Sequence, residues 1–310
     1  MPPLQCLRNR GRATPFGSAQ HGARWYMAKV LSISSQVIHG YVGNSSAAFV
    51  LQRMGHEVLS VPTIILSNRP GYKAIAGERT DPVMLDAMLE AVSANGWLAS
   101  IDAILTGYLP TPGHVELSAR WIAEIKALNP NAIYLCDPIL GDEPSGLYIG
   151  EDAAGAIRDG LVPLADILTP NCFELGWLCS RRVSDVTSAV AAARSLSRPA
   201  VLTTSAPTSL PGTLSNLLVE SDLAAATVSL RRQVQAHGTG DFFAANFLAH
   251  KLNGMSYRTA LRAATAAIEL VLDRSEGRTE LSLIETQVSW GSSDSPLAVL
   301  AALPGVTPAP

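Results

Sequence analysis

Residues 233–250 read QVQAHGTGDFFAANFLAH, and the stretch forces a choice between a plain turn and a binding site at His-Gly-Thr-Gly-Asp. Two glycines so close together are unfavourable unless the backbone must turn sharply or approach something closely. An apolar run follows, long enough for a buried helix, so Asp241 stands at a helix start. A cap is one reading of it. The other is that Gly238 and Gly240 let backbone N–H groups converge where the helix N-terminus adds partial positive charge, which makes an anion site. Phosphoryl transfer needs a carboxylate that accepts the proton of the attacking hydroxyl. Asp241 is placed for that task, and the helix dipole is expected to keep it ionised.

Upstream of this stretch, β-rich and helical segments alternate. KVLSISS, EVLSVPTII, AILTG, AIYLCD, ADILTPN and AVLTTS read as strands, several of them continuous apolar runs. Such runs belong where both faces of a sheet are covered. LSNLLVE and TVSLRRQV are two further β-rich stretches. A helix is expected from Asn44, as its N-cap, to Gly55, and another over 81–96 with Asp81 as cap and Pro82 at the first helical position. Further helices are expected over 113–128, 151–160, 184–196, 241–252 and 256–273. The alternation implies an α/β fold, a central, mostly parallel β-sheet with helices on both faces. No repeat or linker interrupts it, so residues 29–291 read as one domain.

Composition narrows the function. Of 310 residues, 47% are hydrophobic and 16% charged, which suits a sizeable core and excludes wholesale disorder. A net charge of −3 with no dense Lys/Arg stripe argues against nucleic acid or an anionic membrane as partner. No apolar run reaches the roughly 18 residues of a membrane span. Cys6, Cys136, Cys172 and Cys179 form no Cys-x-x-Cys pair, and the histidines show no His-x-x-x-His spacing. Reduced thiols, a cytoplasmic location and no zinc site are therefore expected. Residues 1–28 carry Arg8, Arg10, Arg12 and Arg24, no acid and no secretory core. They are expected to be a disordered extension or to precede a working start at Met27, although a transit peptide would share the composition. Residues 292–310, rich in Pro, Ala and Ser, are expected to be a flexible tail.

In an open α/β sheet, ligands bind beyond the carboxyl ends of the strands. Those ends are chemically unusual here. LSISSQVIHGYVGN ends a strand in Ser34 and Ser35 and turns through Gly40 and Gly43. TGY ends at Tyr108, YLCDPILGD supplies Asp137 and Asp142, ILTPNCFE supplies Asn171 and Glu174, and VLTTS ends in Thr204. Singly, Asp137-Pro138 is a turn opener and Asn171 with Glu174 a capping box. Together they put carboxylates and hydroxyls on one sheet edge, a hard-oxygen set that suits a partly hydrated Mg²⁺ and phosphate.

These stretches, in this order over residues 29–290, resemble the pyridoxal kinases of the ribokinase-like superfamily. The resemblance implies transfer of the ATP γ-phosphate to the 5′-hydroxymethyl of pyridoxal, with pyridoxine and pyridoxamine as further candidates, by a homodimer. It implies Asp241 as base and Gly238, Thr239 and Gly240 as the anion hole. It implies Asp137 and Glu174 around Mg²⁺ through water, with Asn171 and Thr204 on the ATP phosphates. Asp142 and Tyr148 would lie in the loop over the nucleotide, and Ser35, Tyr108 and Leu66 near the pyridine ring. A monovalent cation such as K⁺ is a further candidate. Two departures concern the substrate side. Gln36 stands where the family has His, and LSNRP, from Leu66 to Pro70, stands where it has Phe-Ser-Asn-His-Thr. A kinase for another small hydroxymethyl heterocycle, such as the thiamine-precursor pyrimidine, or for a sugar, therefore stays open. So does a non-catalytic vitamer binder, although a pure binder has no need of Asp241.

Overall fold

The computed structural model describes residues 27–232, 235–291 and 297–301. The chain begins with β1 (Lys29–His39), α1 (Asn44–Arg53), β2 (Glu57–Asn68), β3 (Gly77–Arg79) and α2 (Pro82–Ala94). It continues through β4 (Ala103–Thr106), α3 (Pro112–Leu128) and β5 (Ile133–Cys136). The short strands β6 (Gly141–Asp142) and β7 (Gly146–Leu147) precede α4 (Glu151–Ala156), β8 (Ile167–Leu168), α5 (Cys172–Leu178) and α6 (Val186–Ser195). Strands β9 (Ala200–Ala206), β10 (Thr213–Glu220) and β11 (Ala224–Leu230) lead to α7 (Thr239–Leu252), α8 (Tyr257–Arg274), α9 (Leu283–Trp290) and β12 (Leu300–Ala301).

Among the described residues, ten strands form one sheet in the order β12-β11-β10-β9-β8-β5-β4-β1-β2-β3. Its centre, from β9 to β2, is parallel throughout. Both flanks are antiparallel: β3 folds back on β2, and β10, β11 and β12 form a meander beyond β9. The alternation of the pleat sorts the core strands onto two faces. Leu31, Ile33, Ile104, Tyr134, Leu168 and Val201 pack on one side with residues of α2 to α6. Val30, Leu105, Leu135, Ile167 and Leu202 pack on the other with α1, α7, α8 and α9. Both faces are thus covered, which is why the strands read as apolar runs. Among the described residues no helix is long and apolar enough to cross a membrane.

The expected Asp81 cap is present, its Oδ1 accepting the Val83 N–H at 2.9 Å. Asn44 is a correction. It is the first residue of α1, preceded by Gly43, and it is fully buried. Its amide accepts the Ser32 hydroxyl at 2.7 Å and donates to the Ser34 and Val61 carbonyls at 3.1 and 3.2 Å, tying β1 to β2. Gly43 takes the cap position because a Cβ there would collide with the carbonyl and hydroxyl of Ser35. The helix expected over 151–160 holds α-geometry only to Ala156 and continues as a π-turn, Ile157–Leu161. Helices α5 and α9 and strand β3 add to the elements expected from sequence.

At the N-terminus, the disordered extension is expected over residues 1–28, of which residues 1–26 lie outside the described residues. Ala28, placed in that extension, is fully buried, and its carbonyl accepts the Glu57 N–H. Part of the expected C-terminal tail joins the sheet: β12 pairs with β11, and the Ala298 carbonyl accepts from Arg262 Nε at 2.7 Å.

Candidate active site

Because β1, β4, β5, β8 and β9 are mutually parallel, Ser34, Ser35, Tyr108, Asp137, Asn171 and Thr204 all emerge at one edge. The N-terminus of helix α7 lies at the same edge, where Asp241 faces Asp137 and Ser34. Gly238, at its N-cap, has φ 93°, and a Cβ there would run into the Tyr41 carbonyl. Only glycine suits both the left-handed backbone and the close approach. Gly240 is different: nothing lies within 4 Å of the position a Cβ would take, so the space before the helix start is open.

Asp241 lies one turn into this opening. Together with Asp137, Ser34 and Gly107 it lines a small cavity floored by Ala47, Leu105 and Ala244. Burial pushes the Asp241 carboxyl up to about 6, against the pull of the Gly43 N–H and its own N–H, which both favour the anion. The sequence expectation of a low, dipole-held carboxyl is thereby corrected, because desolvation outweighs the helix terminus. A carboxyl in that range is better matched to proton abstraction near neutrality than an ordinary aspartate.

Asp137 is buried, and its Oδ1 accepts the Thr169 hydroxyl at 2.9 Å. Burial raises its carboxyl well above the usual range, and the nearby charges of Glu174 and Asp241 raise it further. Three acidic groups therefore share one poorly hydrated region.

Glu174 has a second task. Its Oε1 accepts the Leu140 N–H at 2.8 Å and lies 3.4 Å from the Gly141 nitrogen, while Oε2 accepts the Asn171 N–H at 2.8 Å. Burial still pushes it up to about 7 despite these donors. The donors stabilise a turn in which Ile139 has φ 43°, a strained conformation for a β-branched residue.

The remaining residues divide by their partners. Asn171 caps α5 by accepting the Glu174 N–H at 2.9 Å, and its Nδ2 donates to the Gly141 carbonyl at 2.8 Å, so both ends of its amide are engaged within the protein. Thr204, half-buried, bridges to Asn171 through the backbone. Asp142 sits in the β6-β7 hairpin with Oδ1 buried and without a hydrogen-bond partner. Tyr148 follows that hairpin, 47% exposed, its phenol raised by burial and by Asp142.

On the opposite side, Ser35 packs on Gly43 beneath Asp241. The Tyr108 N–H donates to Ser34 Oγ at 3.1 Å, and its carbonyl accepts the Thr63 hydroxyl at 2.6 Å. Leu66 is half-buried in β2, in register with Val37 and Gly77. Gln36 is turned to α1, its Nε2 donating to Ser45 Oγ at 2.8 Å. An open cleft lies beside this site, lined by His39, Tyr41 and residues 277–285.

Sequence reasoning missed Ser34 as a cavity wall, the Gly43 N–H, Thr169 and the strained Ile139. Thr169 had a signal, a hydroxyl in ILTPN at a strand end. Gly43 had one too, as a turn glycine after a strand end, whereas Ile139 had none, since its part is played by the backbone.

Similarity to known proteins places the chain in a family. The family model described as phosphomethylpyrimidine kinase matches residues 50–280. Over 278 residues the chain is 37% identical to pyridoxal kinase PdxY of Leifsonia xyli subsp. xyli, covering 87% of this chain and 98% of that one. It is 39% identical over 241 residues to the pyridoxine/pyridoxal/pyridoxamine kinase of Bordetella avium, covering 76% and 81%. The chain belongs to this kinase family, and within it to the pyridoxal kinases. The solved structure of pyridoxal kinase from Leishmania donovani in complex with ADP and pyridoxine superposes with a TM-score of 0.83 at 32% identity, over 89% of this chain and 99% of that one. The fold is accordingly ribokinase-like, and the chain is a kinase.

Proposed function

We propose that this chain transfers the γ-phosphate of ATP to the 5′-hydroxymethyl of pyridoxal, and also of pyridoxine and pyridoxamine, giving pyridoxal 5′-phosphate and its analogues in vitamin B6 salvage. The observation that carries the reading is Asp241, a carboxyl raised to about 6 at the start of a glycine-led helix. Asp241 takes the hydroxymethyl proton as the oxygen attacks phosphorus, and the backbone N–H groups at Gly238, Thr239 and Gly240 face the charge that develops on the transferred phosphoryl. Ser35, Tyr108 and Leu66 bound the ring side, Thr204 and Asn171 the phosphate side, and Asp142 with Tyr148 the cover over the nucleotide.

Mg²⁺ fits this donor set. The Asp137 carboxyl, raised by burial and then by the charges of Glu174 and Asp241, is relieved by a divalent cation, with Asp137 the residue to hold it and Glu174 the residue that orients the adjoining turn. No group of three or more His, Cys, Asp or Glu side chains among the described residues could cage a metal. That suits an ion which keeps waters and takes phosphate oxygens as ligands. When bound, Mg²⁺ neutralises charge on the phosphates.

We also propose a homodimer in the cytoplasm. Helix α2 turns Val83, Met84, Ala87, Met88, Ala91 and Ala94 to solvent, an apolar face of the kind that a second copy covers. Cys136, Cys172 and Cys179 are free thiols, as a reducing compartment keeps them.

The test is an ATP-consumption screen with pyridoxal, pyridoxine, pyridoxamine, the hydroxymethyl pyrimidine and ribose, run with Mg²⁺ in K⁺ and in Na⁺, with sedimentation of the same sample. Turnover of pyridoxal above the others supports the reading. Brisk turnover of the pyrimidine with none of pyridoxal overturns it.

A further inference from the structure

The segment that departs from the family pattern, Leu66 to Pro70, contains one residue whose partners reach across the site. Arg69 stands at the end of β2, where the chain turns into the loop before β3. Although it is an arginine on a loop, its side chain is only 11% exposed. Its Nε lies 3.6 Å from Oε1 of Glu280, whose side chain is 15% exposed. Its Nη2 lies 3.2 Å from the Thr279 carbonyl and 3.4 Å from the Gln235 carbonyl, and its guanidinium sits 4.8 Å above the Tyr72 ring. Arg69 therefore joins three separate segments: its own hairpin, the 277–282 loop, and the strand-to-helix connection that leads into Gly238.

Glu280 extends the connection to a fourth. Its Oε1 accepts the Tyr72 hydroxyl at 2.5 Å, and Oε2 lies 3.4 Å from the Tyr41 nitrogen. It also packs on Gly40, where a Cβ would press into the carboxylate. The turn at 40–43 is the one whose Tyr41 carbonyl touches Gly238 and whose Gly43 N–H points to Asp241. His237, next to Gly238, feels Arg69, Asp142 and Glu280 together, so these charges converge on the mouth of the site. A charge pair this shielded is not a solvated surface contact, and removing one partner leaves the other buried without its counter-charge.

We propose that Arg69, through Glu280, is a positioning residue that braces the substrate-side hairpin and the turn beneath Asp241 against each other, so that the wall of the vitamer pocket is preformed in the free protein. The proposal rests on the kinase reading above and assigns Arg69 no contact with substrate. Its guanidinium fork reaches three carbonyls, those of Pro70, Gln235 and Thr279, and a carboxylate at once, which a single ammonium does not.

Two measurements on Arg69→Met, Arg69→Lys and Glu280→Gln test the brace. The first is amide hydrogen exchange of the ligand-free full chain, which needs no activity. Arg69→Met is expected to speed exchange in both residues 69–76 and residues 40–43, by about tenfold, the worth of one hydrogen bond to a charged group. The second is steady-state kinetics with whichever compound the wild type phosphorylates. Arg69→Met is expected to raise KM for that compound about tenfold and leave KM for ATP within twofold, with Arg69→Lys intermediate. Exchange unchanged at 40–43, or equal rises in both KM values, overturns the proposal. Exchange as expected in a chain that phosphorylates no vitamer upholds the brace and sinks the functional reading alone.

Discussion

Replacing Asp241 by Asn should destroy activity and stabilise the protein at once, and the pH at which the second effect disappears is fixed by the site. In the folded chain burial lifts this carboxyl from 3.8 to about 6. Each tenfold change in proton affinity is worth about 1.4 kcal/mol, so the ionised form costs the fold up to about 3 kcal/mol. Asp241 keeps part of its surface accessible, and screening reduces that to about 1–3 kcal/mol. The sign follows from the raised folded value. Below pH 3.8 the carboxyl is protonated in the folded and unfolded chains alike and costs nothing. As pH rises through about 6, the unfolded chain releases its proton first, and the stability of the protonated form is lost. Asparagine is neutral throughout and keeps an oxygen that accepts the Gly43 N–H.

Thermal melts of both proteins, free of nucleotide and with metal chelated, should coincide near pH 4 and separate above pH 6. At pH 8 the variant should melt higher by about 2–12 °C, from about 2–4 °C per kcal/mol for a domain somewhat smaller than this one. Its kcat should fall by about 10²–10⁴. A variant less stable than wild type at pH 8, or one displaced equally at every pH, refutes the account of a buried, charged base. Turnover within about threefold of wild type refutes the role itself.

Other outcomes follow from neighbouring residues. Asp137→Asn keeps the acceptor for Thr169 and should raise the Mg²⁺ needed for half-maximal activity about tenfold without lowering Tm; an unchanged Mg²⁺ titration counts against Asp137 as the metal-holding residue. Glu174→Ala strands the N–H groups of Leu140, Gly141 and Asn171 and should cost about 2–5 kcal/mol in denaturant titration, more than its effect through the metal. Gly238→Ala puts a Cβ against the Tyr41 carbonyl at positive φ and should cost about 2–5 kcal/mol, with activity lost at temperatures where the fold survives. Removing residues 1–26 should leave kcat and Tm unchanged, because that stretch has no periodic apolar face to bury.

What the sequence made legible is largely what local chemistry dictates. Apolar runs sealed on both faces gave the parallel strands, Asp81-Pro82 gave the start of α2, and the glycines before Asp241 gave the sharp turn into α7. The misreadings share a cause, since each depended on a partner far away in the chain. Asn44 looks like a cap because it precedes a helix, but Val61 and Ser32 claim its amide and Gly43 takes its place. The Leu300–Ala301 strand lies in a stretch without β-signal of its own and exists because β11 offers an unpaired edge. The Asp241 carboxyl looks low from its helix and is high because the cavity around it excludes water.

The substrate side shows how far the same reasoning reaches. From sequence alone, Leu66 and Pro70 were the natural suspects, and Leu66→Phe with Pro70→Thr the natural restoration. Pro70 is exposed, however, and only its carbonyl is engaged, by Arg69. A threonine hydroxyl at that position faces solvent in the present loop and supplies no contact to a ring. The double restoration made without changing Arg69 should therefore alter KM for pyridoxal by less than about threefold, the lower end of one net hydrogen bond. Restoring Arg69→His as well removes the charge that holds Glu280 and frees the hairpin to repack, so the triple variant should move KM where the double does not. Kinetics of the two variants side by side decide it. A tenfold fall in KM from the double variant alone would show that Leu66 and Pro70 themselves set the ring pocket, and that the loop around Arg69 is not what shapes it.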